Sequence, residues 1–224
     1  MKLLAIETST EACSAALLVD GEVIELYEVA PRRHASLILP MCQQLLAEGG
    51  MDVGDLEMLA FGRGPGSFTG VRIAVSIIQG VAFAADLPVM PVSGLVALAQ
   101  GVRRELGSQR VLAAIDARMG EVYWSSCVSN EEGIMQPVDE EQLATPEKLL
   151  LPAGSGWLGA GTGWQGHGES LRQRLRGRLE ESHPERYPRA RDIAILASHA
   201  IERGAEPLRA DGIQPVYLRN DVTD

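Results

Sequence analysis

Between Gly70 and Ala84 the chain reads GVRIAVSIIQGVAFA, and Arg72 is its one charged residue. A helix on the surface of a water-soluble protein needs a polar face. Here apolar side chains lie nearly all round: Val71, Ile73, Val75, Ile77, Ile78, Val81 and Phe83. Such a helix, expected over about Thr69 to Ala85, must be covered on two sides. Ser76, Gly80 and Ala84 recur at i, i+4 and i+8. Small residues in a stripe let another helix approach closely, and a mid-helix glycine costs about 1 kcal/mol against alanine. The cover is either the chain's own second domain or a partner protein, and the pattern alone leaves both open.

The helix follows GRGPGSFTG, a glycine-rich stretch that invites comparison with phosphate-binding loops. A P-loop needs GxxxxGK followed by Ser or Thr, but Val71 follows Gly70 and the stretch has no lysine. The dinucleotide fingerprint GxGxxG also fails, because Ser67 or Thr69 stands where its last glycine belongs. What remains is a tight strand-to-helix turn made permissive by glycine, with Ser67 and Thr69 placed to cap the helix. A helix start can still attract an anion.

The segment before this loop opens with strand-like runs around Asp20-Gly21, a strong hairpin signal. A break at Glu7 to Glu11 separates the first run from the second, giving a three-stranded antiparallel start. A helix is expected near HASLILPMCQQLLAEGG, with Leu37, Met41 and Leu45 on one stripe and Ile38, Cys42 and Leu46 beside it. Pro40 should lie in an early turn of it or make a kink, and Gly49-Gly50 should end it. Met58 to Phe61 reads as a buried strand, LPVMPVSG as another, and GLVALAQGVRREL as a helix.

RVLAAIDARMGEVYWSSCV then echoes the start of the chain: apolar strand, acidic residue, short turn, second strand. Glu7 and Asp116 take corresponding places. The polar region from Asn130 to Ser155 should loop out. GWLGAGTGW reads as strand and glycine turn, RDIAILASHAIERG as an amphipathic helix and IQPVYLRN as an extended end. Seven arginines between Arg172 and Arg191 fit a solvated helix and loop, with a minor nucleic-acid contact as the sharper alternative.

Composition narrows the function classes. The formal net charge of −10 opposes stand-alone nucleic-acid binding. The three cysteines are far apart, and no His pair has helical metal spacing, which argues against a disulfide scaffold or a zinc site. The first residues turn polar after Ile6, too soon for a signal peptide or a membrane span. The reading is a soluble cytoplasmic protein with no membrane attachment.

GRGPGSFTGVRIAVSIIQGVAFA, with LLAIETSTEACSAALL, RHASLILPMCQQLL, DARMGEVYW and QPVYLR, resembles the bacterial TsaB family, formerly called YeaZ. The likeness covers most of residues 1–128 and the C-terminal segment, and GPGSFTGVR is its most specific run. It implies an α/β, actin-like fold of two related subdomains, 1–100 and 101–224, whose C-terminal helix or segment can pack back on the first. It also implies a scaffold role in forming N6-threonylcarbamoyladenosine beside the anticodon of tRNAs reading codons that begin with A. The chain would dimerise with TsaD, the catalytic paralogue that carries a metal-binding histidine pair and the nucleotide. TsaE, an ATPase, would join a larger complex. tRNA would be met only through that complex, and the chain alone would form a homodimer.

No catalytic, cofactor-binding or metal-binding residue is expected in this chain. Actin-like ATPases open with an acidic residue followed by Gly-Thr, whereas this chain has Glu7-Thr8-Ser9-Thr10. The paralogue's histidines would fall near Ser93 and Ala97. The expected partner interface comprises Leu37, Met41, Leu45, Arg72, Ile73, Ser76, Ile77, Gly80, Val81 and Ala84. The competing reading is a nucleotide-dependent enzyme or peptidase in its own right.

Overall fold

The computed structural model describes residues 1–219. Two compact units emerge, Met1–Gly94 with Pro188–Val216, and Leu95–Tyr187 with the segment from Tyr217. The division falls just inside a helix that starts at Gly94, earlier than residue 100, and the first unit recovers chain from the C-terminal side.

The first unit opens with β1 (Lys2–Glu7), β2 (Ala12–Val19) and β3 (Glu22–Val29). Asp20 and Gly21 join β2 to β3 with φ of 50° and 90°, the paired positive angles that a two-residue hairpin turn needs. Next come α1 (His34–Glu48), β4 (Met58–Gly62), α2 (Phe68–Ala85) and β5 (Val89–Val92). The sheet order is β3-β2-β1-β4-β5. β1 pairs antiparallel with β2 and parallel with β4, with Ile6 opposite both Ala15 and Phe61. Pro40 lies inside α1, past its first turn.

Alternation along the strands sends side chains to both faces of this sheet. Leu4, Ile6, Cys13, Ala15, Leu17, Leu59 and Phe61 pack with Ile38, Leu45 and Ile78 of α1 and α2. The opposite face carries Ala5, Ala12, Ala16 and Ala60, all fully buried. A helix from late in the chain, Ala190–Glu202, covers it.

The second unit repeats the plan. α3 (Gly94–Leu106), β6 (Arg110–Arg118) and β7 (Glu121–Ser129) precede two short strands, β8 (Met135–Pro137) and β9 (Gln142–Ala144). β10 (Trp157–Ala160), α4 (Gly163–Arg174) and β11 (Leu179–His183) follow. The order β8-β7-β6-β10-β11 reproduces that of the first sheet, with β9 also on β7. The region from Asn130 to Ser155 is therefore not a plain loop. Its strands are three residues long, below what an alternation pattern can signal, and buried Met135 anchors the first. β11, in the arginine-rich region, is a charged edge strand.

Val111, Ala113 and Ile115 pack with Leu95, Leu98 and Val102 of α3. Leu112, Ala114 and Trp124 pack with Trp164 and Leu171 of α4. Finally α5 (Ala190–Glu202) returns to the first sheet and lies on β1, β2 and β4. Arg189 reaches Glu25 of β3 at 2.5 Å and stacks over Tyr27, and the Ala190 amide donates to Ser14 Oγ at 2.8 Å.

Candidate functional site

The glycine-rich loop between β4 and α2 closes on the turn between β1 and β2. Glu7, Thr8 and Ser9 have no exposed surface. The Ser67 amide donates to the Ser9 carbonyl at 2.7 Å, and Thr8 Oγ1 donates to the Gly70 carbonyl at 2.7 Å. A Cβ on Gly66 would stand 2.8 Å from Ser9 Cβ and one on Gly62 2.6 Å from Glu7 Cδ, while one on Gly70 would overlap the Thr8 carbonyl oxygen. Real Cβ contacts are not that short, so these glycines serve close approach of the chain to itself. Ser67 caps α2 by accepting from the Gly70 amide at 3.4 Å, while Thr69 is exposed and makes no cap.

Glu7 ends β1 beneath this loop. Its Oε1 accepts the Ser9 amide at 2.5 Å, whereas Oε2 has no hydrogen-bond partner among the described residues. Burial raises its pKa above the ordinary carboxylate range, and the Ser9 hydrogen bonds oppose that shift without cancelling it. The Ser9 amide of the β1–β2 turn is thus already held by Glu7.

Asp116 sits at the matching place in the second unit, but in a more open setting. Its Oδ2 pairs with Arg118 Nη1 at 3.0 Å and its Oδ1 accepts the Arg118 amide at 2.8 Å. Its own amide donates to Thr162 Oγ1 in the GAGTG turn. Gly161 and Gly163 of that turn lie against Ala114 and Gly159 against Trp164, so the second glycine cluster also packs on its own unit.

Most of the clustered arginines are anchored. Arg172 bonds Ser182, Arg174 bonds the Pro146 and Leu149 carbonyls, Arg178 bonds the Pro152 carbonyl and Arg186 pairs with Glu105. His34 begins α1 as a buried residue. Among the described residues no three His, Cys, Asp or Glu side chains gather as metal ligands do. Ser93 is buried just after β5, and Ala97 is a fully buried residue of α3.

α2 has two unlike faces. Val71, Ala74, Val75, Ile78 and Ala82 are buried against the sheet. Arg72, Ser76, Gly80, Phe83 and Ala84 are exposed, with Ile73, Ile77 and Val81 half-buried. A Cβ added to Gly80 would meet nothing within 4 Å, so the small-residue stripe faces outward. Phe83 is 82% exposed. By length and composition α2 would also suit a bilayer.

On α1 the outcome differs. Leu45 has no exposed surface and Met41 little, because both face the first unit's core, and Leu37 is half-buried. Met41 and Leu45 therefore have nothing to offer a surface contact. Ile38, Cys42 and Leu46 of the neighbouring stripe are buried beside them, so the apolar side of α1 as a whole meets the core. Leu39, which that stripe omits, is 45% exposed.

Two sheets of one strand order, each opening on an antiparallel pair that ends near an acidic residue, define an actin-like α/β fold of two related subdomains. A solved structure of YeaZ from Pseudomonas aeruginosa superposes with a TM-score of 0.89 at 46% identity, covering 97% of this chain and 99% of that one. A second P. aeruginosa structure, of an uncharacterized protein with similarity to peptidase YeaZ, gives 0.91 at 47%. The family model for TsaD, tRNA N6-adenosine threonylcarbamoyltransferase, matches residues 26–161. Escherichia coli K12 tRNA threonylcarbamoyladenosine biosynthesis protein TsaB is 43% identical across 99% of this chain and 96% of its own. The Haemophilus influenzae protein of the same name is 40% identical across 100% and 95%. The chain belongs to the TsaB (YeaZ) family.

Proposed function

We propose that this chain is a non-catalytic subunit in the synthesis of N6-threonylcarbamoyladenosine on tRNA, and that it works by pairing with the catalytic paralogue TsaD. The observation that carries the reading is the outward face of α2, where Ser76, Gly80 and Ala84 are exposed beside half-buried Ile73, Ile77 and Val81. An apolar helix face built on small residues suits a second helix packed at close range. An 18-residue helix is about 27 Å long, enough for one side of a specific interface.

In this reading both glycine clusters are structural. They draw each unit's own backbone together, and the chain contributes a surface to the partner. TsaE and tRNA would then join through the complex. In the free chain the same face would be covered by a second copy about a two-fold axis.

Gly80→Arg tests this directly. Open space at Gly80 lets the arginine fit the free chain, so the variant should keep its circular dichroism spectrum and, at dilutions where the wild type is monomeric, its melting temperature. It should lose binding to TsaD in a pull-down and fail to support tRNA modification in the reconstituted reaction. A folded variant that still binds and supports modification would place the partner surface elsewhere.

A further inference from the structure

At the C-terminal end of α2 a groove of about 490 Å³ lies between the helix and the segment that follows α5. Ala82, Leu87, Pro88 and Ala210 form its apolar floor, and Phe83, Asp86, Arg209 and Asp211 its rim. We propose that this groove receives an arginine side chain of the partner subunit. The proposal rests on the pairing reading above and extends it by naming the group that is recognised.

Three observations converge on a cation with a flat apolar surface. Phe83 is 82% exposed, and a guanidinium stacks on such a ring more readily than an ammonium does. Asp86 caps α2 in the left-handed conformation, φ 51°, which a non-glycine residue adopts at some strain. It also places a carboxylate at the negative end of the helix dipole, the unfavourable sign. Within the chain little offsets this. Arg209 stands 4.0 Å from Asp86, with their side chains 86% and 99% exposed, and such a pair contributes little.

Asp211, also exposed, has no ion pair among the described residues. The rim thus carries two carboxylates against one loosely held guanidinium. A carboxylate at an unfavourable place, beside an uncovered aromatic ring and continuous with the outward face of α2, is what an incoming arginine would complement. Its methylene stem would lie on the apolar floor, and its fork would reach Asp86 and Asp211.

The experiment measures binding of the paralogue by calorimetry at several salt concentrations. It compares the wild type, Gly80→Arg, and a triple variant with Phe83→Ala, Asp86→Asn and Asp211→Asn. Asparagine tolerates the left-handed cap and removes the adverse charge, so the triple variant should melt no lower than the wild type. Its affinity should nevertheless fall about 10- to 100-fold, with a shallower salt dependence.

If Gly80→Arg abolishes binding while the triple variant binds as the wild type does, the groove proposal is overturned and the pairing reading stands. If Gly80→Arg binds normally, both are overturned. If the triple variant alters only self-association of the chain in sedimentation, the groove takes a second copy, and assignment to the partner is wrong.

Discussion

Gly70 and Gly80 lie in one helix ten residues apart, and replacing each by alanine should move stability in opposite directions. Intrinsic helix preference favours alanine by about 1 kcal/mol at either position. At Gly80 nothing lies within 4 Å of the new methyl group, so Gly80→Ala should gain about 0.5–1 kcal/mol. At Gly70 the methyl group would collide with the Thr8 peptide. The loop must retreat, breaking the Thr8 Oγ1 bond to the Gly70 carbonyl and the Ser67 amide bond to Ser9, both 2.7 Å.

Breaking each bond leaves a buried group unpaired at a cost of about 1–3 kcal/mol, so the two together cost about 2–6 kcal/mol. After the alanine preference of about 1 kcal/mol is subtracted, the net loss for Gly70→Ala is about 1–5 kcal/mol. For a chain of this size that lowers the melting temperature by about 2–20 °C, against a rise of about 1–4 °C for Gly80→Ala. Thermal unfolding of dilute protein followed by circular dichroism would read both. If Gly70→Ala melts at or above the wild type, the glycine loop is not packed on the β1–β2 turn, and the account of why its glycines are there is wrong.

Glu7→Gln should flatten part of the pH dependence of stability. The native pKa of Glu7 is raised above its ordinary 4.5, so its favourable contribution is complete below that value and is lost as pH rises through the native one. Urea titrations from pH 4.5 to 8 should show the variant gaining on the wild type as pH rises, and a constant difference would contradict this. Glu25→Ala removes a carboxylate whose side chain is 4% exposed from Arg189, which is 31% exposed; a loss of about 2–3 kcal/mol is expected in urea. The thiols of Cys13, Cys42 and Cys127 are pushed up to about 11, 12 and 12 by burial. None should react with a thiol reagent at pH 8 until the protein is unfolded.

The parts that sequence makes legible are those in which one residue type has one physical use. Asp20-Gly21 marks a hairpin because positive φ is scarce elsewhere, and the chain turns there. The small-residue stripe of α2 was legible, but the way it faces was not, because the pattern suits cover by a second domain or by a partner alike; in the structure Gly80 faces open space. For α1 the periodicity gave two adjacent apolar stripes, Leu37-Met41-Leu45 and Ile38-Cys42-Leu46, and could not say which would turn inward. In the structure most of both does, and Leu39 is left to the surface.

β11 was hidden by its own composition. LEESH has neither apolar alternation nor β-branched residues, and it is a strand because β10 offers it a ladder. The role of the glycines was out of reach too. A missing lysine excludes a P-loop, but only the contact with Thr8 and Ser9 reveals what the glycines approach.

The return of α5 to the first sheet sets an order of events during synthesis. β1, β2, β4 and β5 leave the ribosome within the first 92 residues, yet the alanine-lined face of their sheet gets its cover only once Ala190–Glu202 has emerged. The second unit, whose core is drawn mainly from residues 95–187, can meanwhile fold from chain already made. The half that begins the chain is therefore the later to close. A chain that stops short of α5 would carry an uncovered sheet face, a ready target for chaperones and proteases, even with every residue of its first ninety in place.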